Sequence, residues 1–107
     1  MGLFDRLMGK SGLEEGLREY LAAQDALLVD VRTREEYRQG HLKGSLNLPL
    51  DELSASKLPQ GKTLYVYCQS GARSGAACRL LKSRGYEAKN IGGLFGYAGE
   101  LEEGEGA

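Results

Sequence analysis

The stretch Val66-Tyr67-Cys68-Gln69-Ser70-Gly71-Ala72-Arg73-Ser74 constrains this chain more than any other. An apolar run from Leu64 to Tyr67 has the β-branched and aromatic content of a buried strand, and it stops at a cysteine. A helix-forming stretch, Ser74 to Arg84, begins six residues after that cysteine. So short a passage from strand to helix sets Cys68 against helix N–H groups that have no intrahelical partner, where the helix dipole adds partial positive charge. Both effects favour a thiolate, and such settings lower a cysteine pKa to roughly 3.5–7.5. Gly71 and Arg73 in the same turn argue for a reactive thiol. The alternative is a small buried hydrophobe, which is what most free cysteines are.

The flanking sequence predicts an α/β fold. Ser11 and Glu14 stand at capping-box spacing, and Leu13, Leu17, Tyr20 and Leu21 recur at helical intervals, predicting a helix over 13–23 against which only Gly16 counts. Leu27-Leu28-Val29-Asp30-Val31 reads as a buried parallel strand interrupted by one acid. Thr33 and Glu36 repeat the capping box, so a short helix should run from Arg34 to about Gln39 and stop at Gly40. Ser45 to Leu48, before Pro49, reads as a brief strand, Asp51 to Lys57 as a short helix, and Pro59 to Lys62 as a turn. Ser74 is the expected N-cap of the helix after the cysteine, which Gly85 closes. Ala88 to Ile91 is a last strand, Gly92-Gly93 a tight turn, and Tyr97 to Glu103 a final helical turn. Strands alternating with helices imply a central, mostly parallel sheet with helices on both faces and sites at the carboxyl ends of its strands. Cys68 stands at one such end and Asp30 near another.

Length and composition narrow the function. At 107 residues the chain holds one domain. We divide it into an N-terminal extension (1–12), a folded domain (13–99) and an acidic Gly/Glu tail (100–107). Sixteen glycines, about twice the usual share of roughly 7%, announce tight turns and close backbone approaches. The formal charge is −1, but Glu100, Glu102, Glu103 and Glu105 lie in the tail, so the body is mildly cationic. That suits a small anionic substrate and falls short of a nucleic-acid footprint. Cys68 and Cys78 are too few for a disulfide framework and too widely spaced for zinc, and with one histidine no metal or other cofactor is expected. The N-terminus, with Leu3, Phe4, Leu7 and Met8 at helical spacing, is too short in apolar run for a signal peptide, and Arg6 stands where a myristoylation motif needs Ser or Thr. Nothing approaches the roughly 20 apolar residues of a membrane span. The expectation is a cytoplasmic protein that keeps a free thiol, away from membranes, as a monomer or weak dimer.

If Cys68 to Arg73 curls with its N–H groups inward, it forms an anion nest, and Gly71 supplies the positive φ such a curl needs. Gln69, Ser70 and Ala72 would form the rim, and Arg73 would aim at the anion or turn back to a buried carboxylate. Two chemistries fit a thiolate so held: attack on the outer sulfur of a sulfane compound, giving a persulfide, or attack on a phosphate ester. The Cys-x4-Arg spacing is one residue shorter than the Cys-x5-Arg loop of cysteine phosphatases, too tight for a phosphoryl group with three equatorial oxygens. Tyr67 stands where a histidine would precede the cysteine, and no loop acid is present to protonate a leaving group.

Asp30-Val31-Arg32, Glu36-Tyr37, Gly40-His41-Leu42 with Gly44-Ser45, Asn47-Leu48-Pro49, Cys68 to Ser74 and Ile91-Gly92-Gly93 occur in the order seen in the rhodanese family. Over residues 27–93 the chain resembles a single-domain rhodanese. The resemblance implies a rhodanese-like fold and thiosulfate sulfurtransferase activity through a persulfide on Cys68. It also implies a substrate-binding loop, Gln69, Ser70, Gly71, Ala72, Arg73 and Ser74, whose amides cradle the transferred sulfur. The donor would be a small anion such as thiosulfate, or a protein sulfur donor, and the acceptor cyanide or a thiol. Tyr97 stands where the family often has Trp, and the substrate-binding cations of two-domain members have no counterpart.

Asp30, an acid inside an apolar strand, needs a partner, and Arg73 or backbone N–H groups beneath the loop are the expected ones, in a supporting role. His41 follows a helix-ending glycine and reads as structural. Cys78 reads as a buried helical cysteine, with a resolving thiol as the alternative. Arg32, Arg34 and Arg38 are expected to form a solvated basic rim. Besides the enzyme, a sulfur-relay module, a phosphatase or arsenate reductase, and an inactive regulatory domain are the competing functions.

Overall fold

The computed structural model describes residues 12–105, so the apolar N-terminal segment and the expected Ser11 cap lie outside the described residues. Four parallel strands, β1 (Ala26–Asp30), β2 (Leu46–Asn47), β3 (Thr63–Cys68) and β4 (Glu87–Gly93), form one sheet in the order β2-β1-β3-β4. Helix α1 (Gly12–Ala22) precedes β1, and α2 (Arg34–Gln39), a 3₁₀ helix (Leu50–Ala55) and α3 (Ala72–Ser83) run between the strands. The alternating α/β reading holds.

Strand β3 lies between β1 and β4, and its residues Leu64 to Cys68 are all buried, as a continuous apolar run requires of a strand covered on both faces. The period of two divides it. Leu64, Val66 and Cys68 pack with Val29, Leu53, Ala77, Cys78 and Leu81, beneath α3 and the 3₁₀ helix. Tyr65 and Tyr67 point the other way, into a cluster with Leu13, Leu28 and Ile91 beneath α1. Helices therefore cover both faces, and because the strands are parallel Asp30 and Cys68 end theirs at the same edge of the sheet. No helix among the described residues is long and apolar enough to cross a membrane.

The capping box at Thr33 forms as expected, with Glu36 N–H donating to the Thr33 hydroxyl and Thr33 N–H to the Glu36 carboxylate. Five local expectations need correction. Leu21 is 78% exposed; only Leu13, Leu17 and Tyr20 of the apolar set face the sheet. The segment after Pro49 forms a 3₁₀ helix over Leu50–Ala55, shorter than the helix expected to reach Lys57. Helix α3 starts at Ala72 with Gly71 as N-cap, so Ser74 lies inside the first turn and caps nothing. Gly92 and Gly93 belong to β4, paired with Tyr67 and Cys68 past a register shift, and make no turn. Tyr97 to Glu103, interrupted by Gly99, forms no helix; Glu102 instead exchanges backbone hydrogen bonds of 2.8 Å with His41.

Gly16 has a packing reason. A Cβ there would lie 2.3 Å from the Cβ of Ile91, because α1 crosses β4 in near-backbone contact. Gly16→Ala should raise helix propensity by about 1 kcal/mol and cost about 1–3 kcal/mol in overpacking. The net expectation is a lower urea midpoint with an unchanged m-value; a raised midpoint would refute the close-contact account.

Candidate active site

At the carboxyl edge of the sheet, β3 ends in Cys68 and the chain turns through Gly71, at φ +98°, into α3. The Gly71 N–H points back at the sulfur, 3.0 Å from Sγ, and the positive φ turns the chain from there into α3. The Ser74 N–H, in the first turn of α3, lies 3.4 Å from Sγ, as does the Ser74 hydroxyl. Burial alone would raise the Cys68 thiol; the Ser74 hydroxyl and the N–H groups of Ser74, Gly71 and Ser70 outweigh it and bring the pKa below that of an ordinary thiol. Cys78, buried in α3 without such donors, is pushed up by the same burial. Both cysteines are free.

The loop rests on β4. A Cβ on Gly93 would lie 2.1 Å from the carbonyl oxygen of Gln69, so the glycine is required by contact with the loop backbone. Asn90 braces the curl from the same strand: its Nδ2 donates to the Gly71 carbonyl at 3.1 Å, and its Oδ1 accepts from the Ser74 hydroxyl at 2.7 Å and from Gly92 N–H at 3.0 Å. Gln69, Ser70 and Ala72 are exposed at the rim as expected, and Ser70 Oγ accepts from Ala72 N–H at 3.4 Å.

The charged residues pair differently from the expectation. Asp30 is fully buried, and its partner is Arg32: the Arg32 N–H donates at 2.8 Å, Nη2 at 2.8 Å, and Nε reaches both carboxylate oxygens at 3.1 Å. Arg32 is thus buried, at 4% exposure, and no part of a solvated rim; its Nη2 also donates to the Gly40 carbonyl at the end of α2. Arg73 does not reach Asp30. It forms a two-pronged pair with Glu36, Nη1 to Oε1 at 2.7 Å and Nη2 to Oε2 at 3.1 Å. The Arg73 guanidinium holds the Glu36 carboxyl down at about 2. Arg34 pairs with Glu52, and Arg38 with Glu105, on the exposed surface. His41 is buried, stacked on Tyr37 at 3.6 Å, and its Nδ1 donates to the Tyr37 carbonyl at 2.7 Å, which makes it a structural residue.

Glu36, Asn90 and Gly93 are the residues at this site whose roles the sequence reading missed. In the sequence Glu36 reads as a capping residue, Asn90 as part of a strand and Gly93 as part of a turn. Asn90 carried a signal, a polar side chain one residue before Ile91 in a strand that ends beside the cysteine.

An open cleft of about 320 Å³ lies beside the loop, lined by Arg32, Glu36, Gln39, Gln69, Leu94 and Leu101 among others. A second is lined by Thr33, Pro49, Asp51 and Arg73, among others.

Residues 14–100 match the rhodanese-like domain family. The chain is 39% identical over 89 residues to a sulfurtransferase of Allochromatium vinosum, covering 78% of this chain and 83% of that one. It is 41% identical over 71 residues to thiosulfate sulfurtransferase PspE of Escherichia coli, covering 62% of this chain and 68% of that one. Among solved structures, a rhodanese-like domain protein from Staphylococcus aureus superposes with a TM-score of 0.74 at 27% identity, over 85% of this chain and 93% of that one.

Ser74→Ala removes the hydroxyl from Sγ and leaves the backbone donors. The pH midpoint for alkylation of Cys68 by iodoacetamide should move upward. Below that midpoint the rate should fall by up to about tenfold, the effect of losing one hydrogen bond to a charged group. An unmoved midpoint would show that the amides alone hold the thiolate.

Proposed function

Because this chain belongs to the rhodanese-like domain family, we propose that it is a sulfurtransferase that carries sulfane sulfur as a persulfide on Cys68. The donor is thiosulfate or a related compound, and the acceptor cyanide or a thiol. The observation that supports this best is the convergence of the Gly71 N–H, the Ser74 N–H and the Ser74 hydroxyl on one sulfur atom at 3.0 to 3.4 Å. These donors favour the Cys68 thiolate without a general base, and His41, stacked on Tyr37 in the core, is not needed to take its proton.

In the first half-reaction the Cys68 thiolate attacks the outer sulfur of thiosulfate. The new S–S bond forms as the S–S bond to the sulfonate breaks, and sulfite leaves with the electron pair. In the second, cyanide attacks the outer sulfur of the persulfide, thiocyanate leaves, and the Cys68 thiolate is restored. Both transfers conserve charge, and the loop from Gln69 to Ser74 binds the added sulfur through its amides, of which those of Gly71 and Ser74 already reach Sγ. Cys68 has no exposed surface, and the neighbouring rim residues Gln69, Ser70 and Ala72 are exposed. Asp30 supports the site from beneath by holding Arg32. A phosphatase reading is disfavoured for a reason beyond loop length: the Arg73 fork, which a phosphoryl group would need, is already occupied by Glu36.

Incubation with thiosulfate should add one sulfur atom to the wild-type mass and none to Cys68→Ser, and thiocyanate should form only with the wild type. Loss of at least a thousandfold in turnover is the expectation for removing a nucleophile. Equal thiocyanate from the serine variant would sink the reading.

A further inference from the structure

Thiosulfate meets the thiolate as a dianion, and a site that favours it must offer positive charge that is not already neutralised. Two arginines stand beside the Cys68 loop, and each is engaged. Arg32 is buried with its guanidinium on both oxygens of Asp30. Arg73, the single charged residue of the loop and near enough to Cys68 to feel its charge, gives both terminal nitrogens to Glu36. The flanking clefts add carboxylates: Glu36 lines one and Asp51 the other. The Arg73 and Glu36 side chains are 38% and 35% exposed, a setting in which an ion pair adds at most about 1 kcal/mol to stability. Its larger consequence is for the charge presented to a ligand. Glu36 is also anchored independently of Arg73, since the Thr33 N–H and hydroxyl donate to its Oε1 at 3.0 and 3.1 Å.

Resting on the sulfur-transfer reading, we infer that Glu36 is a specificity-determining residue that acts through Arg73. By engaging both terminal guanidinium nitrogens it withdraws the loop's one cation from donor binding. The site then turns toward sulfane-sulfur donors of lower charge, monoanionic thiosulfonates and persulfides, over dianionic thiosulfate. The chemistry is the same for each. With a thiosulfonate the Cys68 thiolate attacks the terminal sulfur, the bond from that sulfur to the sulfonyl sulfur breaks, and the sulfinate leaves with the electron pair. Methanethiosulfonate replaces one oxyanion of thiosulfate by a methyl group, so the two donors differ at the site chiefly by one negative charge.

These two compounds are the probes, with cyanide as acceptor and thiocyanate as the readout. Glu36→Gln keeps the capping box, where glutamine serves as well, and strips Arg73 of its counter-charge. The ratio of kcat/KM for thiosulfate to that for methanethiosulfonate should rise about fivefold, which corresponds to about 1 kcal/mol for one further charge–charge contact near the surface. The gain should appear in KM. The double variant Glu36→Gln/Arg73→Gln should return the ratio to the wild-type value. A ratio that stays level or falls in Glu36→Gln, or a gain that survives in the double variant, overturns the inference. The wild type supplies a check that needs no variant: the ratio should change by less than about twofold between low and high ionic strength, and a steep fall with salt counts against the inference. Failure of the sulfur-transfer reading itself looks different, because neither donor would then yield thiocyanate above the Cys68→Ser level, and the inference would fall with it.

Discussion

The buried ion pair between Asp30 and Arg32 is the interaction from which the rest of the site follows. A carboxylate at zero exposure is tolerated only with its charge and lone pairs answered, and the Arg32 guanidinium with the Arg32 N–H does so. Burial works against the charged guanidinium, yet the hydrogen bonds and charge of Asp30 outweigh it and raise the Arg32 pKa above its ordinary value. Arg32 Nη2, which also donates to Asp30, reaches the Gly40 carbonyl and ties the end of β1 to the end of α2. Asn47 closes the same corner by donating to the backbone carbonyls of both Asp30 and Arg32, at 3.1 and 3.0 Å. With α2 fixed in this way, Glu36 sits where Arg73 can meet it. A buried pair at one strand end therefore sets the electrostatics at the next.

The Cys68 cradle rests on a different constraint, the sharing of one hydroxyl proton. Ser74 has a single hydrogen to give, and Asn90 Oδ1 at 2.7 Å, Gly71 O at 3.1 Å and Cys68 Sγ at 3.4 Å compete for it. With a neutral thiol, the S–H donates to Ser74 Oγ and the Ser74 proton goes to Asn90. With a thiolate, the hydroxyl has reason to turn to the sulfur, and Asn90 Oδ1 keeps the Gly92 N–H as a donor, so the switch strands no buried group. Asn90 is in this sense the proton's alternative lodging, and its Nδ2 holds the Gly71 carbonyl while the exchange takes place.

The backbone of this design was legible in the sequence because local rules agreed with the global fold: the apolar run into Cys68, the capping box at Thr33 and the glycine inside the loop each specify one conformation. The true partner of Asp30, Arg32, has its signal in the sequence although Arg73 reads as the natural choice. Side chains two apart at a strand end share a face, so Arg32 was the nearest cation in space as well as in sequence. Arg73 was the more attractive partner only because both residues flank a site. What could not be read locally was the contact between distant backbones. Gly16 against Ile91 and Gly93 against Gln69 look in sequence like a weak helix position and a turn, since the neighbour that excludes a side chain is supplied by another element. The segment from Tyr97 to Glu103 reads as helical and is not, for a related reason: Glu102 is claimed by His41, across a large sequence separation, before a helical turn can use it.

Neutral dipoles and cations are alternative ways to ionise a thiol, and they differ in what happens next. A free arginine beside the sulfur would lower its pKa and would also attract any dianion in solution, whether or not that ion carried transferable sulfur. Amides and a hydroxyl act over shorter range and select by position. Here the local cations are each matched to a carboxylate, so the lowered pKa of Cys68 rests on groups that touch the sulfur. A persulfide of the same charge, one atom longer, would meet the same donors with no ion pair to rearrange. The proposed transfer would then be governed by the geometry of the ring from Cys68 to Ser74, and the choice of donor by the carboxylate that holds Arg73 aside.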